Sequence, residues 1–114
     1  MNPAKTKKVM YFELLKNRFP ALDDLSDLKD KVARSRIDQR IERAGLGNYG
    51  SHRRFSDLVE LIADFGPGYR VYLGEDGSLL IIILVVGDKS TQDSDFREAR
   101  AYWEAYKARK RRED

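Results

Sequence analysis

The chain of 114 residues contains no cysteine, which excludes disulfide bonds and thiolate metal sites. It contains a single histidine, and its carboxylates are scattered, so the ligand spacing of a metal site is missing as well. The longest apolar run, residues 79–86, is far shorter than the roughly 18 to 20 residues that a membrane span requires. We therefore predict a protein with no metal, no small-molecule cofactor and no membrane segment.

The amino-terminal residues include lysines at positions 5, 7 and 8, but no apolar segment follows them as it would in a secretory signal. Together with the lack of cysteine, this favours a reducing, cytoplasmic location. Charged residues make up 36% of the chain, yet the net charge is only +3. Any affinity for nucleic acid must therefore come from where the cations cluster.

A chain of this length suits one domain, which we place over residues 1–114, and its 41% of hydrophobic residues can form a small core. A run of cations lies near the carboxyl end, over residues 107–112. Because Glu113 and Asp114 dilute that charge, we expect a basic tail over about residues 107–114 that is a frayed, solvated helix end. The alternative is that this run of cations binds the backbone of RNA.

The first half of the sequence has the pattern of a strand followed by helix. Residues 8–15 fit a first strand, although a short helix also fits their pattern. Apolar residues then recur mostly every three to five positions over residues 22–41, which predicts one helix, or a helical hairpin broken before Leu28. Gly45 and Gly47 end this helical region.

The second half has the period of strands. Apolar and more polar residues alternate from Val59 to Phe65, which indicates a strand with one buried face. Glycine-rich turns follow, and the apolar run beyond them is continuous enough for a strand that is covered on both faces. The order of elements indicates a small α+β domain. We predict strands over residues 55–65, 70–73 and 79–86, and a last helix over about residues 94–109.

Two segments of the second half carry a recognisable pattern. They are residues 66–72, Gly-Pro-Gly-Tyr-Arg-Val-Tyr, and residues 87–92, Gly-Asp-Lys-Ser-Thr-Gln. Both resemble signature stretches of the addiction-module killer proteins, a HigB-like branch of the RelE/ParE superfamily of toxins. The resemblance extends in the family's order over roughly residues 19–107. Its further elements are the helix residues 36–43, the loop 47–50, the pair Glu60-Leu61 and the helix residues 99–106.

The resemblance implies a twisted antiparallel sheet packed against one or two amino-terminal helices and a carboxy-terminal helix, with a concave basic face. It implies the toxin component of a type II toxin–antitoxin system. Relatives of the RelE branch enter the ribosomal A site and cut mRNA, whereas the ParE branch inhibits DNA gyrase. The expected partners are the ribosome with its mRNA, and a cognate antitoxin of helix-turn-helix type. The expected activity is that of a metal-independent endoribonuclease that inhibits translation.

Cleavage of RNA without a metal requires the 2′-hydroxyl to lose a proton, the pentavalent phosphate to be stabilised and the 5′ oxygen to be protonated. Cations meet the second requirement, because preorganised charge on the developing phosphorane is among the larger catalytic effects. The resemblance makes Arg70, in the family's Gly-Tyr-Arg strand, the candidate that binds the scissile phosphate. Lys89 lies in a loop where family members place a cation near the substrate. Tyr72 and Gln92 are candidates for contact with RNA, although each can instead pack against the sheet or brace the loop.

A second basic patch lies in the middle of the chain, at His52, Arg53 and Arg54. Phosphate contacts from these residues predict a salt-sensitive affinity for RNA. His52 is a candidate for acid–base catalysis, because an imidazole titrates near neutral pH. The alternative is an idle, solvated histidine in a loop.

The sequence departs from the family at Ile62, where the branch typically has an arginine. Alternation along the strand puts Ile62 on the same face as Glu60 and Asp64, a polar surface suited to substrate. Loss of one preorganised charge commonly costs about 10²–10³ in rate. The consequence is either an altered nuclease or a toxin-fold protein that only binds, as a gyrase inhibitor or as an impaired homologue that sequesters antitoxin. In an alternative alignment, a bulge near residue 63 lets an arginine of residues 53–54 take the missing role.

Overall fold

A five-stranded sheet forms the centre of the protein, with helices on both of its faces. We describe residues 6–113 of a computed structural model of the chain. None of the helices in this part of the chain combines the length and the apolarity that a membrane crossing needs. The strands are β1 (Lys8–Tyr11), β2 (His52–Phe55), β3 (Leu58–Ala63), β4 (Tyr69–Asp76) and β5 (Leu80–Asp88). The helices are α1 (Pro20–Asp27), α2 (Lys31–Gly45) and α3 (Gln92–Glu113), and the 3₁₀ turn Lys89–Thr91 connects β5 to α3.

The strands are ordered β1-β5-β4-β3-β2 across the sheet. Strands β2 to β5 form antiparallel pairs, whereas β1 pairs with β5 in parallel and makes the sheet a mixed one. The prediction of an α+β fold, with a small sheet packed against amino-terminal helices and a carboxy-terminal helix, is confirmed. The expectation that this sheet is antiparallel holds for β2 to β5 but is wrong for β1, which pairs with β5 in parallel. The first strand is shorter than predicted: it ends at Tyr11, and Leu15 forms only an isolated bridge with Arg18.

Side chains alternate between the two faces of the sheet, so the strands contribute to two hydrophobic cores. We call these faces the α2 face, which α1 and α2 cover, and the α3 face, which α3 covers. Strand β5 is buried on both faces, as its continuous apolar sequence predicts. On the α2 face, the buried strand residues include Val59, Leu61, Val71, Leu73, Ile81 and Ile83. On the α3 face they include Leu58, Tyr72, Ile82, Leu84 and Val85, together with Ala99 and Trp103 of α3.

The segment predicted as one strand over residues 55–65 is a hairpin instead, so that prediction is wrong. Strand β2 ends at Phe55, the chain turns at Ser56 with a φ of 63°, and β3 begins at Leu58. Strand β2 lies at the edge of the sheet and pairs with β3 alone. Its first three residues, His-Arg-Arg, are exposed, so the apolar alternation of a buried strand is missing from it.

The helical region over residues 22–41 is a hairpin rather than one helix. Helix α1 ends at Asp27, and Asp30 caps α2 by accepting hydrogen bonds from the backbone nitrogens of Val32 (3.0 Å) and Ala33 (3.1 Å). The break therefore covers residues 28–30, so it begins at Leu28 rather than before it. Asp30 is the signal for this boundary, because its side chain satisfies backbone donors that the first turn of a helix leaves unpaired.

Helix α3 begins at Gln92 rather than at residue 94 and lies close against β4. A Cβ added to Gly74 would be 2.3 Å from the indole ring of Trp103, so only glycine lets the helix approach the strand this closely. The indole in turn stacks on Tyr106, with 5.1 Å between ring centroids. This contact anchors the second half of α3 to the sheet.

The basic carboxy-terminal segment is part of α3, which continues to Glu113. Three of its cations bind groups elsewhere in the fold, so the expectation of a frayed, solvated helix end is wrong for them. Asp114 lies outside the described residues. Lys110 pairs with Asp76, Lys107 pairs with Asp57, and Arg109 donates to the backbone oxygens of Glu13 and Leu14.

Candidate phosphate-binding site

Arg70 is the second residue of β4 and lies on the α3 face. Only 9% of its surface is exposed. Its Nη1 donates to the backbone oxygens of Gly68 (2.9 Å) and Tyr69 (3.1 Å), but its buried Nε has no acceptor within the described residues. No carboxylate of residues 6–113 forms an ion pair with Arg70. Because a buried cation without a counter-ion is unfavourable, this geometry favours the binding of an anion.

Lys89 lies beside Arg70, at the end of the sheet that contains the starts of β2 and β4 and the ends of β3 and β5. We call this the Arg70 end. A Cβ at Gly68 would be 3.4 Å from both Arg70 Nη1 and Lys89 Cβ, so the two residues meet at Gly68. Gly68 also has a φ of 80°, which strains any other residue. The Gly-Pro-Gly turn therefore brings together the two residues for which the resemblance predicts catalytic roles.

Arg97 extends this cluster along the first turns of α3. It lines one shallow recess together with Lys89 and a second recess together with Arg53. Lys89 and Arg97 are exposed, and neither forms an ion pair within residues 6–113. Arg70, Lys89 and Arg97 thus form a row of cations, which we call the phosphate cluster. Sequence reasoning missed Arg97, because only the folded start of α3 brings it near the strands.

Glu60 on β3 is the centre of a buried hydrogen-bond network next to the phosphate cluster. Its side chain is 1% exposed and accepts hydrogen bonds from Tyr72 Oη (2.8 Å), Gln92 Nε2 (2.9 Å) and Arg53 Nε (3.0 Å). Burial by itself would raise the pKa of Glu60, but these three donors outweigh burial and hold that pKa below its usual value. Glu60 is therefore a carboxylate that fastens β2, β3, β4 and α3 together.

The same network determines the state of Tyr72. Burial, and then the hydrogen bond to Glu60, raise the pKa of Tyr72 above its usual value, so its phenol stays neutral. The side chain is 0% exposed, and direct contact with RNA would require it to leave the core. The role in RNA binding that we predicted for Tyr72 thus stays a prediction, and the structure places Tyr72 as a support for Glu60.

The basic patch predicted at residues 52–54 is divided between the two faces of the sheet. Arg53 points to the α3 face, where Arg70, Tyr72 and Gln92 also lie. Its two neighbours point to the α2 face, because successive residues of a strand alternate. There, His52 Nδ1 lies 2.7 Å from the backbone oxygen of Gly50, and Arg54 pairs with Glu75.

His52 starts β2, so the expectation that it lies in a loop is wrong. Its ring packs edge-on against Tyr49, with 5.4 Å between the centroids. Because the sheet separates it from Arg70, the geometry does not bring His52 into the phosphate cluster. Its catalytic role stays a prediction without structural support.

Ile62 lies directly across the strand pair from Arg70. It shares the α3 face with Glu60, as the alternation predicts, although Glu60 is buried rather than part of a polar surface. An arginine at position 62 would put a second guanidinium opposite Arg70. The pairing of Ala63 with Tyr69 is regular, so the bulge proposed near residue 63 is absent; the one irregularity of β4 lies between Tyr72 and Leu73.

Within residues 6–113, no group of three or more histidine or acidic side chains is arranged to hold a metal ion. No family model matches the sequence, and no solved structure matches it. An uncharacterized protein of Haemophilus influenzae is 46% identical over 77 residues, which are 67% of this chain and 78% of that protein. The chain belongs to the family of this protein.

Proposed function

We propose that this protein is the toxin of a type II toxin–antitoxin system, and that it cleaves mRNA on translating ribosomes in the cytoplasm without a metal. The observation that carries this proposal is Arg70, a buried guanidinium without a counter-ion in the described residues, beside the exposed Lys89. A phosphate group supplies the anion that this geometry lacks. The sequence resemblance to HigB-like toxins supplies the class of substrate.

In the proposed reaction, the 2′ oxygen of the RNA attacks the adjacent phosphorus and gives its proton to water. Arg70 binds the non-bridging oxygens and stabilises the negative charge that grows on the phosphorane. The bond from phosphorus to the 5′ oxygen then breaks, and the Lys89 ammonium donates a proton to that oxygen. The products are a 2′,3′-cyclic phosphate and a 5′-hydroxyl. Arg97 holds a neighbouring phosphate and contributes to affinity rather than to the chemical step.

The proposed partners are the ribosome and a cognate antitoxin of helix-turn-helix type, both from the resemblance. Binding to ribosome-held mRNA is consistent with cations that gather at one end of the sheet although the net charge is only +3. An antitoxin that covers the phosphate cluster would suppress cleavage, and acidic groups of the antitoxin would supply a counter-ion to the Arg70 guanidinium.

The test is to induce the chain without antitoxin and to map the 5′ ends of mRNA across translated genes. We expect new ends in frame within coding regions for the wild type, and none for Arg70→Ala. Lys110→Ala is the matched control, because it removes one cation that is already paired with Asp76. Ends that persist in Arg70→Ala, at equal protein level, would contradict the assigned role of Arg70.

A second candidate function is binding without cleavage, and Ile62 is the observation that favours it. The position across from Arg70 holds an alkyl side chain, and Tyr72 is locked as a neutral donor to Glu60. Growth arrest with intact mRNA would indicate a target such as DNA gyrase. Absence of both arrest and cleavage would indicate an antitoxin-binding homologue, and Ile62→Arg should then restore cleavage.

A further inference from the structure

A recess of about 350 Å³ lies between β2 and the first two turns of α3, next to the phosphate cluster. We call it the β2–α3 recess. Its floor is the buried carboxylate of Glu60, and its polar and aromatic groups come from both elements. The residues around its rim are Arg53, Phe55, Gln92, Asp93, Phe96 and Arg97.

Two half-buried aromatic rings form the apolar wall of the β2–α3 recess. Phe55 and Phe96 meet at an angle of 64°, with 4.8 Å between their centroids. Every nucleobase has an aromatic face, and proteins bind unpaired bases by stacking them on such rings. This wall distinguishes the recess from a surface that only attracts phosphates.

The polar groups of the recess are held in place before any ligand arrives. Arg53 uses Nε to bind Glu60, which leaves the two Nη groups for another acceptor. Gln92 binds the same carboxylate through Nε2, which leaves its Oε1 as an acceptor. Because these side chains are already fixed, a ligand loses little binding free energy to ordering them.

The donors and acceptors of the recess differ in position and charge. Arg53 and Arg97 offer cationic donors, the typical partners of guanine O6 and N7. Asp93 is an exposed carboxylate on the first turn of α3, and it can accept from the N1–H and the N2 amino group of guanine. Adenine has no donor at N1 and places an amino group where guanine has O6.

We propose that the β2–α3 recess binds an unpaired guanine of the RNA whose phosphate lies at Arg70 and Lys89. This inference rests on the proposed function and adds to it a preference for one base. Gln92, Asp93 and Arg97 line both the β2–α3 recess and the recess that Lys89 lines, so the two recesses adjoin. The base and the phosphate of one substrate can therefore occupy both sites together.

The experiment measures binding of the full chain to uridine pentamers with one central guanine, adenine or inosine, by fluorescence anisotropy. The pentamers carry 2′-fluoro riboses, which cannot form the cyclic phosphate. We expect guanine to bind about ten-fold more tightly than adenine. Inosine lacks only the N2 amino group and should lie between the two.

Two variants of the recess and one control complete the measurement. Asp93→Asn should reduce the preference for guanine, because the amide keeps only one acceptor oxygen and no charge, whereas Arg53 and Arg97 still face O6 and N7. Phe96→Leu should weaken binding of the guanine pentamer about five-fold or more while it keeps the apolar packing. Asp38→Asn removes the same charge on the exposed side of α2, and it should change neither the preference for guanine nor the affinity for the guanine pentamer.

Equal affinity of the wild type for guanine and adenine, or an unchanged preference in Asp93→Asn, would overturn the recess as a guanine site. If the wild type bound the pentamers without a preference and Arg70→Ala no longer bound them, the phosphate cluster and the proposed function would stand without the recess. Failure to bind any pentamer would also overturn the inference, and the mapping of mRNA 5′ ends would then decide the proposed function separately.

Discussion

The two ends of the sheet both carry cations on the α3 face, but the cations have different surroundings. At the end opposite to Arg70, which we call the Asp76 end, Lys110 Nζ lies 2.6 Å from Asp76 Oδ1 and Lys107 Nζ lies 3.4 Å from Asp57 Oδ2. At the Arg70 end, Arg70, Lys89 and Arg97 have no ion pair within residues 6–113.

This difference shows that density of charge along the chain does not locate the cations that lack an ion pair within residues 6–113, on which the proposed phosphate site rests. The carboxy-terminal run of lysines and arginines is dense in the sequence, yet three of its members fasten α3 to the rest of the fold. The cations of the Arg70 end are scattered in the sequence, and the fold brings them together. The buried carboxylate near them, Glu60, already forms an ion pair with Arg53. Cations that form no ion pair in the described part of the chain are the ones that remain for an external anion.

The largest effect that separates the two ends is expected for Arg70→Gln. Removing the charge should lower the single-turnover rate of mRNA cleavage on ribosomes by about 10²–10³. Lys110→Gln, at the Asp76 end, should leave the rate unchanged within about two-fold, because this partly exposed ion pair contributes about 1 kcal/mol to stability and nothing to phosphate binding. An equal loss in both variants would remove the functional distinction between the ends.

The next effect concerns stability at the Asp76 end. Gly74→Ala places a methyl group 2.3 Å from the Trp103 ring and should lower the free energy of unfolding by about 1–3 kcal/mol. Gly77→Ala is a reference for backbone strain alone, because no described atom lies within 4 Å of its Cβ, but its φ of 70° itself costs roughly 1–2 kcal/mol. Urea denaturation compares both variants with the wild type, and a Gly74→Ala protein as stable as the wild type would show that α3 is not anchored there.

The contributions of two carboxylates, Asp24 and Asp76, to the free energy of unfolding should change with pH in opposite directions. Burial, with smaller contributions from Glu98, Asp95 and Asp27, raises the pKa of Asp24 to about 6, whereas Lys110 and then Tyr106 hold the pKa of Asp76 below its usual value. Asp24 therefore binds its proton more tightly when folded, and its contribution to stability falls as pH rises from about 4 to 6. Asp76 contributes stability that is present above its unfolded pKa and is lost as pH falls.

The corresponding variants are Asp24→Asn and Asp76→Asn. At pH 7, Asp24→Asn should raise the free energy of unfolding by about 1 kcal/mol, since the amide oxygen still accepts from the Val86 nitrogen without a buried charge. That gain should shrink at pH 5. Asp76→Asn should be destabilising by about 1 kcal/mol at pH 7. Urea titrations at both pH values test the signs, and a gain in Asp24→Asn that does not depend on pH would be contrary to this account.

The smallest effect is on the salt dependence of RNA binding. Each cation of the phosphate cluster that contacts a phosphate should add about 0.7 to the slope of log affinity against log salt concentration. Lys89→Ala and Arg97→Ala should therefore each reduce the slope by that amount, and Lys107→Ala should not. Anisotropy titrations at several salt concentrations give the slopes, and a reduction in Lys107→Ala would place a phosphate contact at the wrong end.

Much of the fold could be predicted because it depends on neighbours along the chain. The continuous apolar sequence of β5, the Gly-Pro-Gly turn and the helical period of α2 and α3 all gave correct elements. The prediction failed where the environment is not local: β2 is a polar edge strand, and its pairing with β3 depends on a tight turn at Ser56. The direction of β1 was also unpredictable, because its partner β5 lies far along the chain.

The candidate site was predictable in part. The motif resemblance pointed to Arg70 and Lys89, and the fold brings both to Gly68. Residues 52–54 are adjacent in the sequence, which predicts one patch, but alternation along β2 puts Arg53 on the α3 face and its two neighbours on the α2 face. Glu60, Phe96 and Asp93 acquire their roles only through contacts between β2, β3 and α3, for which no short sequence pattern exists.

The sequence by itself determined the α+β class, the order of most elements and the absence of thiol chemistry, since periodicity and composition act over a few residues. Only the tertiary structure decided which charges are neutralised. Lys110 pairs with Asp76 and Arg53 pairs with Glu60 across strands and helices, whereas Arg70 is buried with no ion pair among residues 6–113. The physical reason is that an ion pair depends on distance in space and on burial, and neither is set by position along the chain.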